Sequence, residues 1–238
     1  MLELPPLQRC RLLRRPNRFV VEAEAPTGGT LRLHNTNTGR LLDVLQPGAQ
    51  LLCLPHPRPG RRTQGRLIAA RYHGGWALLD TRLQEQALQA AIEKGLIPPL
   101  RGCRPARRSP RLEDATLDLQ LECPNRPLYL EAKSAVLASS DGYALYPDAP
   151  SPRAHRQILA LTRHAHRGGL AAVVFLAAFP GARGFRPNRR IDPQLPSLLR
   201  EAQQAGVLIH ATGLDLTRGS GGWRVRLYSP SLPLDLEG

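Results

Sequence analysis

The feature that most limits the fold of this chain is its punctuation: between residues 18 and 80, Gly and Pro recur so often that only short extended runs fit between them. Residues 18–24 and 30–34 flank Pro26-Thr27-Gly28-Gly29, residues 41–45 and 50–54 flank Pro47-Gly48, and residues 66–72 and 76–79 flank Gly74-Gly75. Glycine supplies positive φ and proline a fixed φ, so each pair of runs reads as a hairpin. Five or six short strands in so little chain predict a small β barrel. The oligonucleotide-binding barrel leads; a small sandwich or an SH3-like barrel gives the same pattern.

The rest of the chain changes period. Residues 81–94 read as a helix, with Thr81 at the N-cap, Leu83, Ala87, Leu88, Ala91 and Ile92 on one face, and Gly95 past the end. Residues 98–111, with four prolines and five arginines, read as a solvated connecting segment. Residues 116–122 and 127–133 then form a candidate hairpin, 152–167 a helix, 170–179 a buried strand and 194–205 a helix ending at Gly206. Strands follow at 207–212 and 223–228, and 229–238 is expected to be a loose tail. The expected fold class is α/β (α+β). A small OB-like barrel occupies residues 1–80, a connecting helix and basic linker 81–112, and a mixed sheet flanked by helices 113–238.

Charge separates the two halves. Residues 1–112 hold 19 basic and 7 acidic residues, net +12, while the remainder holds 14 and 12, net +2. Such a field attracts polyanions over about 10 Å and draws affinity from released counterions, so DNA is the expected partner, with RNA the alternative. The competing account is compositional, because 31 of the 33 bases are arginine. Candidate contacts are Arg18, Asn37, Arg40, Arg61 and Arg62, together with Arg153 near a helix N-terminus. Phe19, Tyr72 and Trp76 are the sparse aromatics here, so binding should lean on phosphates.

The apolar run 170–179 is about half a membrane span, and arginines interrupt the N-terminal stretch that a secretory signal would need, so a cytoplasmic location without membrane contact is expected. Cys10, Cys53, Cys103 and Cys123 lie far apart without ligand spacing. Neither a zinc site nor a disulfide framework is expected; they read as core residues. Oligomeric state leaves no mark.

The chemistry-bearing pattern lies in the candidate hairpin. Leu117, Leu119 and Leu121 alternate with Asp118, Gln120 and Glu122, and Leu128, Leu130 and Ala132 alternate with Tyr129, Glu131 and Lys133. A symmetric loop over residues 123–126 sets Asp118 opposite Glu131, with Cβ atoms about 4.5–5.5 Å apart. Facing carboxylates repel unless a cation lies between them; Mg²⁺ (or Mn²⁺) suits such a pair with waters and a backbone carbonyl such as that of Ala132. Lys133 points the same way. It could orient or deprotonate a water, or stabilise charge on a phosphate. Only Lys94 and Lys133 are lysines, and an ammonium differs chemically from a guanidinium. The competing reading makes Glu131 and Lys133 ordinary charges on a solvated face. Asn37-Thr38-Gly39-Arg40 fits a phosphate nest, and fits a plain turn better. His155, His164 and His166 lack single-face ligand spacing and read as positions on a solvated helix.

In order along the chain, Arg18-Phe19, Asn37-Thr38-Gly39-Arg40, Pro47-Gly48, Asp80-Thr81, Asp118, Leu130-Glu131-Ala132-Lys133-Ser134, Tyr146-Pro147-Asp148-Ala149 and Arg153 resemble the sugar fermentation stimulation protein family of bacteria. Arg186-Pro187, Ile191-Asp192-Pro193 and Glu201-Ala202-Gln203-Gln204-Ala205-Gly206-Val207 continue the match. The resemblance implies an OB-type N-terminal domain, a C-terminal domain similar to the PD-(D/E)xK nucleases, DNA binding, and a link to sugar, particularly maltose, metabolism. It makes Asp118, Glu131 and Lys133 the candidate catalytic core, with Asp118 and Glu131 as metal ligands. Departures favour the alternative of a non-catalytic DNA-binding regulator: Arg107 stands where the family usually has a glutamate, unless Glu113 or Asp114 substitutes. Residues 153–158 depart from Arg-Gly-x-x-His-Leu, placing Gln157 at the histidine.

Overall fold

The computed structural model describes residues 1–56 and 62–237, so Arg61 lies outside the described residues. The chain divides into two units. The first holds Met1–Ala87, Ala178–Gly181 and Leu214–Tyr228. Its strands β1 (Gln8–Asn17), β2 (Val20–Glu24), β3 (Thr30–His34), β4 (Gln50–Pro55) and β5 (Gly65–Tyr72) follow the spatial order β3-β2-β1-β4-β5. Parallel pairing of Leu33 and His34 with Gly65 and Arg66 joins β3 to β5 and closes the OB-type barrel, which removes the open-sandwich alternative. A Cβ on Gly65 would meet the Leu54 carbonyl oxygen at 2.8 Å, so this crossing point takes glycine. Strand β6 (Gly75–Leu78) continues antiparallel from β5.

Three local expectations for this unit are corrected. Strand β1 was hidden by its arginines, although Cys10 and Leu12 turn into the core, alternating with the exposed Arg9, Arg11 and Leu13. Residues 41–45 are not a strand. Leu41, Val44 and Leu45 are buried at helical spacing, and the Val44 and Leu45 N–H groups both donate to the Leu41 carbonyl. Helix α1 (Thr81–Glu93) is capped by Asp80 rather than Thr81: Asp80 Oδ1 accepts from Leu83 N–H at 3.1 Å, while Thr81 N–H donates to Thr36 Oγ1 at 3.0 Å.

The second unit holds Leu88–Ala177, Ala182–Gly213 and Ser229–Gly238. Its sheet comprises β7 (Arg104–Arg108), β8 (Leu119–Glu122), β9 (Leu128–Ala135), β11 (Leu170–Ala177) and the 208–213 part of β13 (Leu208–Gly219), in the order β7-β8-β9-β11-β13. Pairing is antiparallel up to β9 and parallel beyond it. Parallel strands are buried on both faces, which is why β11 reads as one apolar run. A smaller sheet contains β10 (Tyr143–Tyr146) and β12 (Gly184–Pro187), and Phe175 of β11 stacks on Phe185 of β12 with ring centroids 3.8 Å apart. Helix α2 (Pro152–His166) buries Ala154, Gln157, Ile158, Leu161 and Ala165, the spacing of one helical face. Its first turn is capped by Ser151 Oγ, which accepts from Ala154 N–H at 3.2 Å. Helix α3 (Leu195–Gln204) buries Leu195, Leu198, Leu199 and Ala202.

Three expectations are corrected here. The presumed loop 98–111 contains a 3-10 turn (Pro98–Leu100) and the edge strand β7, paired with β8. That pairing brings the two strand ends together, so Cys103 and Cys123 form a disulfide despite their separation of 20 residues; Cys10 and Cys53 are buried free thiols as expected. Of the expected 229–238 tail, the described residues 229–237 are held in place: Leu232 and Leu236 are buried, Phe185 N–H donates to the Pro233 carbonyl, and Asp235 N–H donates to the Phe185 carbonyl. Residues 88–112 group with the second unit and 214–228 with the first.

Candidate functional site

The register of the hairpin is the one a symmetric loop requires: Leu119 pairs with Leu130, Gln120 with Tyr129 and Leu121 with Leu128. Asp118 sits one residue before β8, and the Ala132 N–H donates to its Oδ2 at 2.8 Å, which ties the Asp118 carboxylate to the strand carrying Glu131 and Lys133. Helix α2 shields the polar side of β9. Glu131 is 3% exposed and Lys133 8%, which excludes the reading of ordinary surface charges. Two charges this deeply buried persist only when paired.

The pairing is specific. Lys133 Nζ donates to Glu131 Oε1 at 2.7 Å and to Gln157 Oε1 at 2.6 Å. Glu131 Oε2 is buried and has no hydrogen-bond partner. Burial pushes the Glu131 carboxyl up to about 7; Lys133 opposes that rise, the Asp118 charge adds to it, and Arg153 opposes it again. For Lys133, burial works against the charge, but Glu131, with smaller help from Tyr146 and Asp118, holds the ammonium above its ordinary value. An ammonium held this way is a charge stabiliser and donor rather than a base. Burial likewise raises the Tyr146 hydroxyl, which lies within the electrostatic reach of Lys133, Glu131 and Asp148 and hydrogen-bonds Ser151.

A buried carboxylate oxygen without a donor, next to a second carboxylate, is the donor set of a hard divalent cation. Among the described residues no three His, Cys, Asp or Glu side chains converge, so the set is two carboxylates plus backbone and water; Mg²⁺, which retains several waters, accepts this. Among the described residues no third carboxylate joins them from upstream. Arg107 is exposed on β7 opposite Gln120, and Glu113 and Asp114 are tied to Arg163, with Glu113 also bound to Arg167.

Of the candidate nucleic-acid contacts, Arg153 is exposed on the first turn of α2 and its charge reaches Glu131. Arg18 is exposed, its guanidinium carbon 4.8 Å from the ring centroid of Phe19, which is itself 44% exposed. Arg40 and Arg62 are exposed, and the Arg40 carbonyl accepts from Arg15. Asn37 is different: it is buried and its Oδ1 accepts from Gly39 N–H at 3.2 Å, so its side chain serves the turn. His155 is not on a solvated face, since its Nε2 lies 2.6 Å from Asp192 Oδ2; His164 stands edge-on to Tyr129, and only His166 is exposed. Gln157, noted in the sequence only as a departure from the family's histidine, is not among the candidate site residues. Its signal was a long polar residue inside the apolar stripe of α2.

Comparison with known proteins agrees with this architecture. Residues 13–79 match the SfsA N-terminal OB domain, and residues 82–220 match the sugar fermentation stimulation protein RE domain. A sugar fermentation stimulation protein homolog of Pyrococcus furiosus is 41% identical over 223 residues, covering 91% of this chain and 92% of that one. The homolog of Moorella thermoacetica is 37% identical over 214 residues, covering 89% and 91%. The solved structure of Pyrococcus furiosus SfsA in complex with Ca²⁺ matches with a TM-score of 0.89 at 40% identity, covering 98% of each chain. The chain belongs to the sugar fermentation stimulation protein family.

Proposed function

We propose that the protein is a DNA-binding phosphodiesterase of the PD-(D/E)xK nuclease type, dependent on Mg²⁺ or Mn²⁺, with its site at Asp118, Glu131 and Lys133. The observation that carries the reading is the partnerless buried oxygen of Glu131, set on the same strand face as a buried ammonium and beside a second carboxylate. The Ca²⁺ complex of the Pyrococcus furiosus relative supports a hard cation in this family, and the Asp118–Glu131 pair is where this chain would hold it.

When bound, a divalent ion there would polarise the phosphate and lower the pKa of a coordinated water. Asp118, anchored by the Ala132 N–H, presents its second oxygen. Glu131 presents Oε2 and uses Oε1 to hold the Lys133 ammonium. Lys133 would offer its remaining N–H to a phosphate oxygen or the attacking water, stabilising the charge that grows as the P–O bond breaks. Arg153 adds positive charge at the N-terminal end of α2. The barrel unit would grip the phosphate backbone through exposed arginines such as Arg18, Arg40 and Arg62.

Labelled DNA incubated with purified protein and Mg²⁺ or Mn²⁺, beside an Asp118→Ala control, tests the reading. Cutting by the parent alone is expected; no cutting by either removes the enzyme. One observation favours the second reading, a non-catalytic DNA-binding regulator of sugar metabolism: Arg107 is exposed, and neither Glu113 nor Asp114 is free to serve as an extra ligand. Competition between DNA and RNA at two salt concentrations separates DNA from RNA as partner.

A further inference from the structure

We infer that Gln157 is a positioning residue for Lys133: its side-chain amide, clamped between α2, β9 and the segment leading into Asp118, fixes the direction in which the ammonium offers its free N–H. The inference rests on the phosphodiesterase reading for its consequence and on geometry alone for its substance. Gln157 is 1% exposed and lies in the stripe of α2 whose other buried members are alanines, Ile158, Leu161 and Thr162. A primary amide buried among such neighbours is costly unless both of its ends are bonded. Both are: Oε1 accepts from Lys133 Nζ at 2.6 Å, and Nε2 donates to the Thr116 carbonyl at 2.7 Å.

The consequence follows from the shape of an ammonium. Lys133 Nζ carries three N–H bonds in a tetrahedral arrangement. One is directed to Glu131 Oε1 and a second to Gln157 Oε1. With two directions fixed, the third is determined. If Glu131 were the sole acceptor, the flexible stem could carry Cε about that hydrogen bond, and the third N–H would change direction with it. The other end of the amide matters for the same reason. Thr116 lies two residues before Asp118 in a segment where regular pairing is interrupted: Ala115 and Thr116 pair with Leu112 and Arg111, and β8 resumes only at Leu119. Gln157 therefore joins the ammonium and the approach to the metal-binding carboxylate into one unit, referenced to the rigid helix. Misplacing a participating group by about 1 Å costs on the order of a hundredfold in rate.

The test compares the parent with Gln157→Leu, which keeps bulk and loses both bonds, and Gln157→His, whose neutral imidazole has one acceptor and one donor nitrogen. In Mn²⁺-dependent DNA cleavage, Gln157→Leu should lower kcat about ten- to a hundredfold, leave KM for DNA and the Mn²⁺ affinity within about threefold, and be partly rescued by Gln157→His. A second readout does not need activity. Because the chain has two lysines, selective ¹³Cε labelling gives two signals, assigned with Lys94→Arg. The two ε-protons of Lys133 should be inequivalent in the parent and in Gln157→His, and merge in Gln157→Leu as the side chain begins to rotate. An unchanged kcat, an equal loss of Mn²⁺ affinity, or a Lys133 signal unaffected by Gln157→Leu overturns the inference. Should the parent cut nothing, the phosphodiesterase reading fails by itself, and the lysine signals still decide whether Gln157 fixes Lys133.

Discussion

The barrel unit and the sheet-and-helix unit handle charge in opposite ways. In the barrel, Arg9, Arg11, Arg18, Arg40 and Arg62 stand exposed around an apolar interior. Charges of that kind act through their summed field, fall off over a Debye length, and individually contribute little. In the second unit the informative charges are withdrawn from water: Glu131 and Lys133 are buried, and the amide of Gln157 on α2 closes over the ammonium. Few charges held at low dielectric do more chemistry than many at the surface, because each is fixed in direction and unscreened. The comparison suggests attachment by one unit and reaction in the other, and each half can be broken separately.

The largest effect should come from the buried set. Asp118→Ala or Glu131→Ala should remove metal-dependent cleavage by at least about a thousandfold and leave DNA affinity within a few fold, as checked by single-turnover assay and filter binding. Lys133→Met should lower kcat by about a hundredfold or more while metal affinity persists.

The next effect is on stability. The Glu131 carboxyl sits at about 7 in the fold against an ordinary 4.5, so the folded chain holds this proton more tightly than the unfolded chain does. The stabilisation from this group is therefore complete below about 4.5 and is lost as pH rises through about 7. Metal-free protein should melt lower at pH 8 than at pH 6 for this reason, and Glu131→Gln should flatten that slope. Mg²⁺ should raise Tm more at pH 8 than at pH 5, because it takes the ionised carboxylate. Scanning calorimetry with and without Mg²⁺ checks the sign.

A smaller change is expected at the edge of the sheet. Cys103→Ser with Cys123→Ser removes the cross-link that closes residues 103–123, which hold both β7 and β8, and should cost about 3 kcal/mol in urea unfolding while leaving barrel-mediated binding intact. The smallest belongs to the barrel surface. Arg18→Ala, Arg40→Ala and Arg62→Ala together should weaken DNA binding uniformly across sequences and reduce the slope of log affinity against log salt by about three if each meets a phosphate.

How much of this was legible depended on whether the cause was local. The hairpin register could be read because alternation and a symmetric loop determine it, and the OB barrel because glycine and proline mark its turns. Helix α1 could be read from its apolar period, although its cap could not: Asp80 and Thr81 are both competent, and the choice is made by Thr36, far away in sequence. Pairing of β7 with β8 is long-range, so the prolines and arginines of 98–111 read as loop and the Cys103–Cys123 bond was invisible. At the candidate site, alternation puts Glu131 and Lys133 on one strand face with Asp118 on the neighbouring strand, but spacing does not give the burial of Glu131 and Lys133, because α2 supplies the cover. Asn37 illustrates the reverse: a side chain suited to phosphate is committed to its own turn.

The most direct measurement is anomalous diffraction from crystals soaked in Mn²⁺. The account predicts a peak about 2.0–2.3 Å from an Asp118 oxygen and from Glu131 Oε2, with Lys133 still on Oε1. Absence of a peak there at saturating Mn²⁺, or a peak that bypasses Glu131, would contradict it.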